Sequence, residues 1–437
     1  MRELFLIRDN LANKISYYHL VLFLLSLPFD RFYSHLILIS FAIHTLIHLN
    51  RLAVKPIFTL RTLMLQSVFF VTVVSTIYAT NKSLAFKEWG LDITIFLVPI
   101  LFCLNPLDLK KYRPQLLLLF SMGSAATILY LFINAILTLQ FYGLPLSLLF
   151  TQAFTNHNFA QPIDMHATFF SLQIAVALVY IISALIKEQK ISNRVFYTVI
   201  GLVLLAGIIQ LSSKSVFVAL ALTIIIALPY LMLQGIRRKR FIVIAISSTL
   251  LIATGIAVTP ALRTRYLTEL HDDFSARTSE IVEPRIVRWQ IAADLIKRSP
   301  VIGYGAGSEI PLLQEKYFEK KFYTSYLHRL NAHNEYMSFM IKSGVWGLAI
   351  YLAILIYGFR IAIRKKDIVF FGFMALMAVV SLSENILDVD KGIMFYSFFF
   401  PFFVFIAEQK GSLPMPIKRN RNLRKVATNR MADPSLV

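Results

Sequence analysis

The sequence contains a single cysteine, Cys103, which excludes a disulfide or a thiolate metal cluster within one chain. Charged residues are also few: they make up 16% of the 437 residues, whereas 57% are hydrophobic and 14% are aromatic. An ordinary soluble domain has about 25% charged residues. The positive mean hydropathy of +0.65 therefore indicates a polytopic membrane protein.

Other sequence features that are typical of particular functional classes of protein are missing as well. No cleavable signal peptide is predicted, because the apolar segment after Lys14 lacks a small-residue cleavage site and is expected to remain as the first span. No internal repeat occurs at a fixed period. The histidines before residue 200 are scattered: examples are His44, His48, His157 and His166. No convergent set with zinc-ligand spacing is visible, so we predict no catalytic metal.

The apolar residues are arranged in about twelve stretches, each close to the ~20 residues that a helix needs to cross ~30 Å of hydrocarbon. The stretches cover residues 15–30, 33–50, 60–80, 86–105, 114–140, 163–186, 195–212, 215–234, 241–259, 335–359, 368–383 and 392–408. We therefore predict an all-α polytopic membrane protein with about 12 transmembrane helices.

Lysine and arginine are concentrated in every second short loop, as expected if the N-terminus is cytoplasmic. These loops contain Arg51 and Lys55; Lys110, Lys111 and Arg113; Lys187, Lys190 and Arg194; residues 237–240; and Arg364, Lys365 and Lys366. Most of the net charge of +20 is then a topology signal. A nucleic-acid site would need these residues on one folded surface, so no nucleic-acid partner is predicted.

This topology places one long segment, residues 260–334, on the outer face. Such a connection is more often a functional lid or binding loop than filler. We predict that it is mostly helical, with a helix over 285–298, a glycine-rich turn "GYGAG" at 303–307 and a second helix over 311–322. The predicted parts are spans 1–9 (1–259), the loop with catalytic elements (260–334), spans 10–12 (335–408), and a basic cytoplasmic tail, expected to be disordered (409–437).

His333 stands at the membrane end of this loop, between Asn331 and the pair Asn334 and Glu335. One interpretation is an interfacial helix cap, in which an asparagine satisfies free backbone N–H groups and His333 is merely solvated. The other is a general base, because an imidazole at a water-accessible membrane boundary can accept a proton from a substrate hydroxyl. The neighbouring residues decide between them.

Cations suited to phosphate occur in two places on the predicted outer face. Arg285, Arg288 and Trp289 have the i, i+3, i+4 spacing that puts them on one helix face, and arginine binds phosphate oxygens in a bidentate manner. Lys214 occupies an otherwise uncharged outer hairpin. The alternatives are that these arginines pair with Glu280, Glu283 or lipid headgroups, and that Lys214 extends towards the interface.

The segment "SENILDVDKG", residues 383–392, contains three carboxylates near the outer end of the penultimate span. Glu384 and Asp388 would share a helix face, which suggests ion coupling in a transporter, whereas an ordinary outer turn neutralised by Lys391 is the other interpretation. The "GYGAG" turn follows a helix instead of a strand and lacks a following Lys-Ser/Thr, so we predict no nucleotide site there.

Several of these segments together resemble the O-antigen ligase and polymerase superfamily. They are "SSKS" at 212–215, "RIVRW" at 285–289 followed by "SPVIGYGAG", "AHNEYMSFMIKSGVWGL" from 332 and "SENILD" from 383. The resemblance covers roughly residues 200–407, whereas the first half of the chain matches only in hydropathy and number of spans. It implies a GT-C-like architecture.

The resemblance also implies an activity: glycan transfer from undecaprenyl diphosphate to a hydroxyl of lipid A-core, without nucleotide, metal or other cofactor. It implies His333 and Arg285 as catalytic residues and Lys214, with Arg285, as diphosphate-binding. Family members usually have arginine at the position of Lys214. Arg288 joins the diphosphate-binding candidates from its helical spacing, and Asn334, Glu384 and Trp289 are possible supporting residues. We therefore predict an inverting O-antigen ligase.

The implied location is the inner membrane of a Gram-negative bacterium, with both termini cytoplasmic, the active site facing the periplasm and membrane lipids around the spans. Alternatives with the same chemistry are a polysaccharide polymerase that joins repeat units on the lipid carrier and a protein O-oligosaccharyltransferase. A lipid-linked oligosaccharide flippase belongs to a different class. It should have pseudo-repeated halves, which the sequence lacks. The glycan, the acceptor sugar and the oligomeric state are not determined by the sequence.

Overall fold

The computed structural model describes residues 2–49, 54–264 and 283–408, and in these ranges the chain forms helices and no β-strand. The longer helices are α1 (Leu11–Ser26), α2 (Arg31–Ile47), α3 (Leu60–Thr76), α4 (Lys82–Leu104), α5 (Leu109–Phe141), α6 (Ala167–Lys187), α7 (Ile191–Leu211), α8 (Lys214–Met232), α9 (Gly235–Val258), α10 (Arg285–Arg298), α11 (Glu309–Glu319), α12 (Glu335–Arg364), α13 (Ile368–Val380) and α14 (Asp390–Glu408). Short helices or helical turns cover Arg2–Phe5, Leu146–Phe150, Gln152–Phe154, Asn156–Ala160, Gln161–Ile163, Pro260–Arg263, Tyr323–Leu327 and Ile386–Asp388.

A helix lies over each of the twelve segments predicted as spans. By length and composition, seven of the described helices can cross a membrane, namely α5, α6, α7, α8, α9, α12 and α14. Helices α2, α3 and α13 are shorter but apolar. The chain is therefore an all-helical polytopic membrane protein, while the count of twelve spans remains a prediction. Three predicted features lie outside the described residues: Arg51, the tail at 409–437 and the part of the outer loop at 265–282.

The transmembrane core is centred on α6 and α14. In their most apolar windows, 72% of the α6 residues and 89% of the α14 residues are buried inside the protein, compared with 6% for α9. Because lipid is as apolar as leucine, helices associate in the membrane through close packing, and α14 provides it with stacked phenylalanines such as Phe399 and Phe403. This core sets the position of the connection between α13 and α14 relative to the transmembrane helices. That connection carries Glu384.

The described part of the outer loop has a small core of its own. Helices α10 and α11 bury Ile291, Leu295 and Leu313 together with Ile341 of α12. The first turns of α12 therefore belong both to the membrane region and to the loop. This shared packing holds the loop on the end of α12 at which His333 lies.

The glycine-rich turn at 303–307 joins the loop to a break in α12. At Gly344 the backbone of α12 leaves the helical region, with φ of 61° and ψ of −157°. The carbonyls of Ile341 and Lys342 accept hydrogen bonds from the backbone N–H groups of Tyr304 and Gly305, both at 2.8 Å. The turn is thus a docking element, and the break in α12 differs from the uninterrupted span that the sequence predicts.

We expect Gly344→Ala to destabilise the protein by at least about 2 kcal/mol, because a positive φ strains L-residues and close backbone contact cannot relax. A Cβ at this position would lie 2.2 Å from the carbonyl oxygen of Val301. Thermal unfolding of the detergent-purified variant measures the effect. Gly90→Ala is the matched control, because a Cβ at Gly90 has nothing within 4 Å. Equal melting temperatures for both variants would contradict the docking role.

Candidate active site at the end of the outer loop

Three consecutive backbone N–H groups, those of residues 333–335, form hydrogen bonds that hold the backbone around His333. His333 has a φ of 48°, in the left-handed region that non-glycine residues seldom adopt. Its N–H donates to Asn331 Oδ1 at 3.0 Å, and the N–H of Asn334 donates to Asn385 Oδ1 at 2.7 Å. The N–H of Glu335 donates to the carbonyl of Ser381 at 2.8 Å. These bonds fix the imidazole relative to the connection between α13 and α14.

Asn334 is also the N-cap of α12, since its side chain accepts a hydrogen bond from the N–H of Met337 at 3.1 Å. Its amide nitrogen donates to the carbonyl of Leu382 at 3.3 Å. The capping interpretation and the interpretation of His333 as a general base are therefore compatible, because the cap sets the position of the histidine.

His333, Glu384 and Arg285 form one cluster although they are distant in sequence. The Nδ1 atom of His333 lies 3.1 Å from Oε2 of Glu384, and a guanidinium nitrogen of Arg285 lies 3.7 Å from Oε1 of the same carboxylate. The side chains of His333 and Arg285 are 23% and 29% exposed, whereas Glu384 is 10% exposed. His333 and Arg285 are therefore accessible to a substrate, and Glu384 lies behind them.

Glu384 stays ionised in this setting. It lies in the connection at 381–389, outside the membrane-spanning helices. Burial opposes its ionisation, but the hydrogen bond and charge of His333, followed by the charges of His166 and Arg285, outweigh burial and lower the pKa of Glu384 to about 2. A permanent carboxylate is thus available to orient His333.

Two further histidines, His157 and His166, lie near this cluster, although in the sequence they are scattered. The ring centroids of His157 and His166 are 4.1 Å apart, just before α6 begins. Burial lowers the pKa of His166 to about 4, and the charges of Glu384, His157, His333 and Arg285 all act on it. No sequence signal connects residues this far apart. Among the described residues, no group of three or more His, Cys, Asp and Glu is placed to hold a metal ion.

The other candidate residues lie at different distances from the cluster. Trp289 donates its indole N–H to the carbonyl of Ala332 at 2.9 Å and so supports His333. Arg288 is buried in the loop, 5% exposed, where its charge acts on Tyr317. Lys214 is half-buried at the first residue of α8. Arg285, Arg288 and Trp289 lie in one helix at the predicted spacing, and their side chains contact different neighbours.

The carboxylates of "SENILD" also differ from expectation, because α13 ends at Val380 and Glu384 does not share a helix face with Asp388. Asp388 pairs with Lys342 at 2.5 Å, and Asp390 lies 3.7 Å from Arg31. Lys391 forms no hydrogen bond through Nζ among the described residues, but the charges of Asp30, Asp390 and Asp164 act on it, so the neutralisation of this turn by Lys391 stays a prediction.

The alternative partners predicted for the loop arginines are Glu280 and Glu283, and of these only Glu283 lies in the described part of the chain. Glu283 accepts hydrogen bonds from the backbone N–H and the hydroxyl of Ser325, at 2.9 and 2.7 Å. Glu280 lies outside the described residues. The carboxylate that Arg285 contacts is Glu384, which the sequence analysis named only as a supporting residue.

A pH-dependent stability follows from Glu384. Because its pKa is lowered to about 2 in the folded state, the ionised carboxylate stabilises the fold above its ordinary pKa of 4.5, and this contribution is lost as the pH falls from 4.5 towards 2. We expect the wild type to lose on the order of 3 kcal/mol more than Glu384→Gln across this range. Melting temperatures of the two proteins between pH 5 and pH 2 test this; parallel curves would contradict it.

Residues 199–352 match a family model described as O-Antigen ligase, which confirms the predicted resemblance over this segment. The match includes Lys214, Arg285 and His333, and it ends before Glu384. No curated protein matches the chain.

Proposed function

We propose that this chain, whose residues 199–352 match the O-antigen ligase family, is a membrane glycosyltransferase that moves a glycan from a lipid diphosphate to an acceptor hydroxyl. The family covers ligases and related polymerases. Within it we favour the ligase reaction, from undecaprenyl diphosphate to lipid A-core. The observation that carries the proposal is the cluster of an accessible imidazole and an accessible guanidinium on one buried carboxylate.

His333 has the role of general base in this proposal. Its Nδ1 faces Glu384 at 3.1 Å, so the Nδ1–H donates to the carboxylate and Nε2 keeps a free lone pair for the acceptor. The acceptor oxygen attacks the anomeric carbon while its proton passes to Nε2. The C–O bond to the diphosphate breaks, and its electron pair remains on the diphosphate oxygen. A single displacement of this kind inverts the anomeric carbon and needs no carboxylate nucleophile.

Arg285 has the role of stabilising the leaving group. Negative charge grows on the diphosphate as the glycosidic bond breaks, and a fixed cation that interacts more strongly with that charge lowers the barrier. The side chain of Arg285 is 29% exposed, and its 3.7 Å contact with Glu384 is long enough to leave donors for phosphate. Lys214 and Arg288 remain predicted diphosphate ligands, although the burial of Arg288 makes a supporting role in the loop more favourable for it.

The location follows from the same proposal. The basic loops predict both termini in the cytoplasm, which places the outer loop and His333 on the periplasmic face of the inner membrane. A lipid-linked donor and a lipid-anchored acceptor would both reach a site at that height. The helical architecture with a large outer loop is in accord with a GT-C-like enzyme.

Products that accumulate in a deletion strain test the function. Loss of a ligase leaves long polymer on the lipid carrier, whereas loss of a polymerase leaves single capped units attached to the core. Loss of a protein-glycosylating enzyme leaves lipopolysaccharide intact. A purified protein that forms no glycosidic bond from lipid-linked glycan and lipid A-core, but moves the glycan across vesicles, would replace the proposal with the flippase alternative.

A further inference from the structure

A buried polar network lies next to the backbone on both sides of His333 in the chain, at Ala332 and Asn334. Its central residue is Glu309, the first residue of α11, which is 2% exposed. One oxygen of Glu309 accepts from the N–H of Ala332 at 2.9 Å, and the other accepts from the hydroxyl of Ser338 at 2.5 Å. The amide nitrogen of Asn385 lies 3.1 and 3.2 Å from the two oxygens. Each of these three groups donates a hydrogen bond to Glu309, so both carboxylate oxygens have partners inside the protein.

Asn385 extends this network past the histidine. Its amide oxygen accepts from the N–H of Asn334 at 2.7 Å, while its nitrogen donates to Glu309 and, at 2.7 Å, to Asp388. Glu309 therefore holds the residue before His333 directly and the residue after it through Asn385. The same network connects the loop helix α11, the start of α12 and the connection before α14.

This arrangement bears on catalysis because His333 has a strained conformation. A left-handed φ of 48° is strained for a non-glycine residue and persists only where the surroundings enforce it. Two of the bonds that enforce it end on Glu309 or Asn385. A displacement of a catalytic group by about 1 Å can cost about 10²-fold in rate. Glu309 thus helps to set the distance between the His333 imidazole and the acceptor hydroxyl, and the rate is sensitive to this distance.

We infer that Glu309 is a positioning residue, which fixes the backbone of His333 on both sides so that its imidazole meets the acceptor hydroxyl. The inference rests on the proposed function of His333. Glu309 is 2% exposed and its oxygens accept from Ala332, Ser338 and Asn385, so in this inference it acts through His333 and not on the substrate. Its loss therefore affects turnover through the placement of His333 and leaves binding of the lipid donor largely intact.

A glutamine in place of Glu309 is expected to be mild. Burial, together with the charge of Asp388, raises the pKa of Glu309 to about 7, against the opposing charge of Lys342. The site therefore tolerates an uncharged side chain, and an amide oxygen can still accept from the N–H of Ala332. Alanine instead leaves the buried N–H of Ala332 without its acceptor, whereas Ser338 and Asn385 keep only their contacts with Asp388. The contrast between the two variants separates positioning from charge.

The test is steady-state transfer by the purified full-length protein, with undecaprenyl diphosphate-linked glycan and lipid A-core. We expect Glu309→Ala to lower kcat about 10²-fold at a donor KM within about threefold of wild type, and Glu309→Gln to retain at least about a tenth of the activity. The control is Glu315→Ala, on the exposed face of the same helix. Rates are normalised to folded protein by size-exclusion profile and melting temperature.

Three results would overturn the inference while wild type remains active: an unchanged kcat for Glu309→Ala, equal loss in both Glu309 variants, or a loss confined to KM. If Glu309→Ala does not accumulate in the cell, Asn385→Ala is measured instead, because it removes the hydrogen bond to the N–H of Asn334. An unchanged kcat of Asn385→Ala also overturns the inference. Wild-type protein that transfers no glycan to any acceptor would instead refute the proposed function. The two failures are therefore distinguishable.

Discussion

His333→Asn is expected to abolish detectable glycan transfer, with a loss of about 10²–10⁴-fold in kcat, which is the range that a general base contributes. Asparagine tolerates the left-handed backbone better than most residues, so the variant keeps the φ of 48° that His333 adopts. Its amide cannot accept a proton from the acceptor hydroxyl. The loss would therefore report chemistry and not misfolding of the loop end.

The measurement is the core-linked polysaccharide ladder in a deletion strain complemented by each variant, followed by kcat of the purified protein. His328→Asn is the matched control, because His328 is exposed in the same loop and its backbone N–H bonds to Thr324. Normal ladders from His333→Asn at wild-type protein level would remove His333 from the catalytic centre and return it to the role of a solvated residue beside a helix cap.

Arg285→Ala should give the second large effect, a loss of about 10²–10³-fold in kcat, comparable to removal of one preorganised group that stabilises developing charge. Arg285→Lys should fall between alanine and wild type, because lysine keeps the charge and loses the bidentate fork. Arg298→Ala, on the exposed end of the same helix, is the control and should be neutral.

A double-mutant cycle with Glu384→Gln tells how Arg285 acts. If Arg285 only neutralises Glu384, the pair Arg285→Ala and Glu384→Gln should be no worse than Glu384→Gln alone. If Arg285 binds the donor diphosphate, Arg285→Ala should still lower kcat when Glu384 is replaced by glutamine. We expect this second result. A double variant as active as Glu384→Gln would limit Arg285 to an electrostatic role behind the histidine.

The sequence allowed much of the architecture to be predicted, because membrane spans are encoded locally. About twenty apolar residues are sufficient to specify a spanning helix, and a helix lies over every stretch that this rule selected. The segment that carries His333 and Arg285 was likewise recognisable from local motifs, and its family match confirms that resemblance. The first residue of α12 was also foreseen, but its continuation to Arg364 and its break at Gly344 were not.

Contacts between distant segments could not be read in the same way. His333 and Glu384 are 51 positions apart, and no sequence pattern pairs them. The network of Glu309 and Asn385 spans 76 residues, and it was missed because buried carboxylates look in sequence like ordinary charges on a loop. The proximity of His157 and His166 to the cluster depends on how the start of α6 packs.

The sequence by itself therefore determined the solvent of this protein, the position of its helices and the residue types available at its outer face. These properties depend on composition and on spacing within about twenty residues. Only the tertiary structure decided which carboxylate lies against His333 and why the glycine turn exists. The physical reason is that hydrogen bonds and ion pairs act over about 3–4 Å in space, whatever the separation along the chain.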